Sequence, residues 1–160
     1  PSAKITDLEL IKAAVKTGKK VIISTGMSTP LEVRHAQEKL PRNRGHFILV
    51  CHSQYPVEND AELNLMQVVR FKDYDLHVGF SSHDKSPYPA IYASVLGAEM
   101  VEVHITLDRS LPWGDHSASL EPAGLALLAR ELARWERIRG DGIKRVYPSE
   151  LKSRLKLRGY

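Results

Sequence analysis

The chain has 160 residues, 42% of them hydrophobic and 26% charged, with a formal net charge of +4. That balance excludes a disordered chain and leaves room for one globular unit with its own core. The single cysteine, Cys51, excludes an internal disulfide and any CxxC metal or redox pair, and no run approaches the ~18 apolar residues of a membrane span.

The positive excess is modest and spread out, as on a solvated surface. Its densest stretch, ELKSRLKLRGY at 150–160, lacks the aromatic interleaving that stacks single-stranded bases, so no nucleic-acid partner is expected. With no signal-peptide pattern and no span, the expectation is a soluble, cytoplasmic protein without a membrane partner. Cys51 lies in an apolar run and reads as a buried, inert thiol. The first residues, PSAKITD, lack an initiator Met, and truncation is the expectation.

In chain order, TDLELIKAAVKTG predicts a helix with Thr6 and Glu9 at capping-box spacing and Gly18 as its stop. VIIST at 21–25 follows as a strand. STPLEVRHAQEKL predicts a helix with Thr29 as N-cap and Pro30 in its first position. HFILVCHS at 46–53 is the second strand and ELNLMQVVRFKD the next helix. LHVGFSS at 76–82 is the third strand, followed by a helix over YPAIYASVLGAEM. MVEVHIT at 100–106 is the fourth strand. PAGLALLARELARWERIRG predicts the last helix, with Leu125, Leu128, Leu132 and Trp135 as an apolar stripe and Gly140 at its end. Strands recur every ~25 to 30 residues with a helix between, the rhythm of parallel βα units in one domain.

Residues able to do chemistry collect at the C-terminal ends of these strands: Ser24, Ser53, Tyr55, Ser81, His83, Glu102 and His104. Parallel α/β folds bind ligands at that end. His83 and His104 end adjacent strands, where two neutral imidazoles meet at one divalent metal or are simply two polar residues at a pocket rim. Glu102 shares the face of His104 by strand alternation; it binds the metal, bonds a metal-bound water, or forms a salt bridge. STGMST, CHSQYP and GFSSH bring hydroxyls and backbone N–H groups suited to a phosphate or carboxylate, or ordinary turn serines. None lies in a GxSxG elbow, so a nucleophilic serine is not expected. Asp115 and His116 sit in the long loop 108–122, where Ser119 and Glu121 also suit a helix N-terminus. His35, His46, His52 and His77 read as surface or outward-facing.

STGM, CHSQYP with a downstream LNL, VGFSSHD, VEVHITLDRSLPWGDHSASLEP and GDGIKRVYPSE together resemble the sialic acid synthase family, over essentially the whole chain. Its members make N-acetylneuraminate and, in bacteria, legionaminic or pseudaminic acid. The resemblance implies a (β/α)8 TIM barrel. It implies a metal-dependent condensation of phosphoenolpyruvate with an N-acylated aldose such as N-acetylmannosamine, giving a sialic acid and phosphate. The positions of the family's Mn²⁺ ligands are His83 and His104. Glu102 matches an acid near metal-bound water. Ser2, Ser24, Ser53 and Ser81 match phosphate contacts, and Tyr55 and Asp115 match residues lining the substrate site. The family's S-D-H is Ser81–Ser82–His83 here, so an acidic neighbour of the first ligand is missing.

By the same resemblance only about half of the barrel is present: strands 5–8 with their helices over 1–147, then a tail over 148–160 with no antifreeze-like domain. The expected partner is the missing N-terminal half of the barrel, or a second copy forming a homodimer. Two alternatives stand beside a synthase fragment of poor activity: another phosphoenolpyruvate-dependent 3-deoxy-sugar-acid synthase, which DHSASLEP argues against, and a non-catalytic, metal-binding half-barrel.

Overall fold

The computed structural model describes residues 1–42, 45–74 and 76–159, with Tyr74 as backbone alone. Four parallel strands form one sheet in chain order: β1 (Ile22–Ser24), β2 (Phe47–Cys51), β3 (His77–Ser82) and β4 (Met100–Val103). The helices are α1 (Leu8–Lys16), α2 (Pro30–Gln37), α3 (Gln67–Phe71), α4 (Tyr88–Val95), α5 (Pro122–Ile138) and α6 (Leu151–Arg158). The architecture is α/β with a parallel four-stranded sheet, each strand followed by a helix.

Strand alternation divides the sheet chemically. Ile23, Ile48, Val50, Val78 and Phe80 point one way into the core, where Val33, Ala36, Val68, Ala90, Ala93 and Leu128 of α2 to α5 cover them. The opposite face carries, in aligned rows, Ser24–Leu49–Gly79–Met100 and then Cys51–Ser81–Glu102. Gly79 is a packing requirement: a Cβ there would overlap the Leu49 side chain and the Met100 carbonyl oxygen. The apolar row therefore floors the face, and the polar row sits above it at the strands' C-terminal ends.

Several local expectations need correction. The N-cap of α1 is Asp7, not Thr6: Asp7 Oδ1 accepts from Leu10 N at 3.0 Å, and Glu9 pairs with Lys12 instead of closing a box. The helix expected over 62–73 is broken. Asn59 opens a 3₁₀ turn at Asp60–Leu63, Asn64 takes a left-handed conformation (φ 40°, ψ 53°), and only Gln67–Phe71 is α-helical. Asparagine tolerates that conformation better than most residues, so the chain turns there. His46 is not outward-facing: it is 1% exposed, and its Nδ1 accepts from Val21 N at 3.0 Å, tying β2 to the start of β1. In the last helix Leu128 is buried and Leu132 packs on the core, whereas Leu125 is exposed. The tail holds the exposed helix α6, and its last residue, Tyr160, lies outside the described residues.

Among the described residues no helix is long and apolar enough to cross a membrane.

Candidate active site

His83 follows β3 and His104 follows β4, so both continue the polar face. Their ring centroids lie 5.2 Å apart with planes inclined at 64°. The residues after β2 hold His83 from three sides. Its Nδ1 donates to the His52 carbonyl at 2.6 Å, its own carbonyl accepts from Val57 N at 3.3 Å, and the Tyr55 ring lies 3.8 Å away between centroids. With Nδ1 committed to a carbonyl, Nε2 keeps its lone pair. Burial holds the His83 imidazole below its ordinary pKa, against the opposing pull of the His52 carbonyl, and so favours the neutral ring.

His104 faces a carboxylate: its Nδ1 lies 3.6 Å from Asp115 Oδ2. Tyr55 meets His104 edge-on at 5.6 Å, which places one phenol against both imidazoles. Burial pushes the Tyr55 hydroxyl above its usual pKa, and the nearby Asp115 carboxylate adds to it. Glu102 accepts from Ser81 Oγ at 2.8 Å, between the ends of β3 and β4.

The second cluster lies across β1 and β2. Gly26 N donates to Ser2 Oγ at 3.0 Å, and Cys51 Sγ lies 3.6 Å from Ser2 Oγ and 3.9 Å from Ser53 Oγ. Gly26 leaves room here: a Cβ would run into Ser53 Oγ and come within 2.8 Å of Ser2 Oγ, so both hydroxyls would have to turn away. Small hydroxyls, a thiol and a bare backbone thus form a cradle at the end of β1, with Ser24 buried below it.

Most of the sequence-predicted residues converge. Ser2 and Ser53 meet at Gly26, while Tyr55, His83, His104 and Asp115 meet at the far strands. Ser81 lies beside Cys51 in the same row and donates to Glu102. Cys51 departs from the expectation of an inert buried thiol: it is only partly buried and lies between Ser2 and Ser53. Strand alternation carries the signal for this, since residues 49, 51 and 53 share a face. Glu121 occupies the N-cap position of α5, but neither its side chain nor that of Ser119 caps the helix. Ser119 Oγ donates to the Asp115 carbonyl at 2.7 Å, and Glu121 Oε1 accepts from Arg109 N at 3.1 Å. The His52 carbonyl is the functional group that sequence reading missed, and a main-chain acceptor leaves no trace in residue identity.

Residues 1–144 match the model of the NeuB family. This chain belongs to the NeuB family. The NeuB-family relatives include an N,N'-diacetyllegionaminic acid synthase of Campylobacter jejuni, 37% identical over 96% of this chain and 47% of the relative. The mouse N-acetylneuraminate-9-phosphate synthase is 32% identical over 98% of this chain and 44% of that protein. A crystal structure of the N-acetylneuraminic acid (sialic acid) synthetase of Leptospira borgpetersenii superposes with a TM-score of 0.83 at 32% identity, covering 99% of this chain and 57% of that one. The NeuB-family chain described here spans about half the length of the curated relatives it matches.

Proposed function

We propose that this chain carries half of the active site of a synthase that condenses phosphoenolpyruvate with an N-acylated aldose such as N-acetylmannosamine, yielding a sialic acid (nonulosonate) and phosphate. The observation that carries the proposal is the meeting of His83 and His104, 5.2 Å between centroids, beside a hydroxyl-lined cradle on the same sheet face. The relatives named as nonulosonate synthases support the reaction class.

The donor set fits a divalent cation, Mn²⁺ in this reading. The His83 and His104 imidazoles offer nitrogen, and Asp115 and Glu102 offer hard oxygen nearby. Among the described residues no three His, Cys, Asp or Glu side chains are grouped tightly enough to hold a metal by themselves. The remaining positions would fall to water and substrate, as a Lewis acid requires. Held by His83 and His104, the cation would polarise the open-chain carbonyl of the sugar.

The enol carbon of phosphoenolpyruvate bonds to the aldehyde carbon of the sugar as the aldehyde C=O π bond breaks and its oxygen takes up a proton to become a hydroxyl. Water adds at the resulting cationic C2 and gives up a proton, and the tetrahedral centre collapses to a ketone with release of its second proton as the C2–O bond breaks and phosphate leaves. The cradle of Ser2, Ser24, Ser53 and the Gly26 backbone holds the phosphate, and Ser81 steadies the Glu102 carboxylate, which orients the attacking water. Tyr55 and Asp115 wall the sugar side.

In this proposal the four strands are strands 5–8 of a (β/α)8 barrel. Four parallel strands with two open edges do not enclose a site, and eight close into a barrel. The complement is an N-terminal half or a second copy. The test is an assay for Mn²⁺-dependent loss of phosphoenolpyruvate and release of phosphate, run on this chain alone and with the upstream half of a NeuB-family barrel fused ahead of Pro1. The expected result is little turnover alone and clear turnover in the fusion. A folded fusion without turnover refutes the synthase reading. His83→Ala and His104→Ala should each weaken Mn²⁺ binding by roughly a hundredfold or more, beyond the ~10–100-fold typical of losing an outer partner, with far-UV CD largely unchanged. Unaltered affinity in both would remove them as ligands.

A further inference from the structure

We propose that Thr106, His116 and Ser119 form a latch that positions Asp115 against His104. The loop after β4 leaves the sheet at His104 and returns to it at Leu120. Leu120 N donates to the His104 carbonyl at 2.8 Å and Thr106 N donates to the Leu120 carbonyl at 2.9 Å, so the two ends of the loop are fastened on either side of His104. Within the loop, Thr106 Oγ1 lies 2.8 Å from His116 Nδ1, donates to the Asp108 carbonyl at 3.1 Å and accepts from Asp108 N at 3.2 Å.

A hydroxyl has one proton. With that proton on the Asp108 carbonyl, His116 Nδ1 must be the donor to Thr106, and all three bonds are satisfied at once. On the other side of Asp115, the Ser119 hydroxyl, on a residue 3% exposed, donates to the Asp115 carbonyl at 2.7 Å, and Ala118 N donates to the same oxygen at 3.0 Å. Asp115 is therefore pinned through its own carbonyl and through the His116 side chain next to it, while its carboxylate is left free to face His104 at 3.6 Å. None of the three latch side chains is assigned to substrate or cation in the reading above. They act through Asp115 as positioning residues.

The metal readout of this latch rests on the cation proposal; the spectroscopic readout does not. Mn²⁺ affinity is measured for the 160-residue chain and for Thr106→Val, Thr106→Ser, Asp115→Asn and the Thr106→Val/Asp115→Asn pair. Thr106→Val should weaken Mn²⁺ about tenfold, the lower end for loss of an outer partner, and Thr106→Ser should restore it. In the Asp115→Asn background Thr106→Val should have no further effect, because both changes remove one interaction. Unchanged affinity in Thr106→Val, or an equal loss in the Asp115→Asn background, overturns the latch. The ¹⁵N resonances of the His104 ring are followed in parallel without metal. A shift in Thr106→Val that Thr106→Ser reverses supports the latch, and an unmoved resonance ends it. If the parent chain binds no Mn²⁺, the cation reading falls and the ¹⁵N result alone decides. Should Thr106→Val lose its far-UV signal, Ser119→Ala carries the same two readouts.

Discussion

His83 shows how much one residue's surroundings decide. Its identity is in the sequence, but its tautomer comes from a backbone carbonyl thirty-one positions earlier, and its charge preference from burial. The consequence for stability has a definite sign. The folded-state pKa lies below the ordinary imidazole value of ~6.5, so His83 adds to stability above that pH. That contribution is lost as the pH falls through the lower folded value. In metal-free protein the urea midpoint should therefore decline between pH 7.5 and 5.5, and His83→Gln should decline less over the same range. A parallel decline in both would show that other groups carry it. Gly26 is the second residue with a sharp expectation. Gly26→Ala drives a methyl into Ser53 Oγ and Ser2 Oγ, so on the proposed phosphate role of the cradle, phosphoenolpyruvate or inorganic phosphate should bind about tenfold more weakly, the worth of one charge-assisted hydrogen bond. Calorimetry or ³¹P NMR measures it.

At the scale of elements, the start of α2 was legible in the sequence. Thr29 and Glu32 form a full capping box around Pro30 in the first helical position: Thr29 Oγ1 accepts from Glu32 N at 3.3 Å and Glu32 accepts from Thr29 N at 2.7 Å. Those bonds hold the Glu32 carboxyl below the usual carboxylate pKa. Thr29→Ala should cost about 1 kcal/mol, read as a lower urea midpoint with the same m-value. A change within ~0.3 kcal/mol would mean that packing of Val33 and Ala36 alone secures α2. Residues 62–73 have helical composition, yet Asn59 caps a separate 3₁₀ turn and Asn64 takes a left-handed conformation that divides the segment. Thr6 and Asp7 are both good caps, and Asp7 is the one whose side chain accepts from Leu10 N.

For the whole molecule the sheet's edges matter most. Among the described residues, β1 and β4 pair on one side only. Beyond β4, Ile105, Leu107, Leu111 and Leu125 line an apolar groove of about 750 Å³, with Leu107 88% exposed and the neighbouring Trp113 80% exposed. Apolar surface of that kind marks an interaction site, and in the proposed barrel this strip is where the complement packs. In a Trp135→Phe background, which leaves Trp113 as the reporter, the fusion to an upstream half-barrel should move tryptophan emission to shorter wavelength than in the chain alone. Identical spectra would show that the complement leaves this strip in water.

Sequence alone determined the βα rhythm, the parallel order it implies, the gathering of residues 24, 53, 55, 81, 83, 102 and 104 at the strands' C-terminal ends, and the shared face of 102 and 104, because strand alternation and helix period are local geometry. It could not determine which of those groups meet. The pairing of Ser81 with Glu102, of Ser2 with Gly26, of His83 with the His52 carbonyl and of Ser119 with Asp115 was decided only when the sheet set its register and the loops folded back across it. Those contacts join residues by distance and direction in space, and main-chain oxygens, which every residue carries, are half of them.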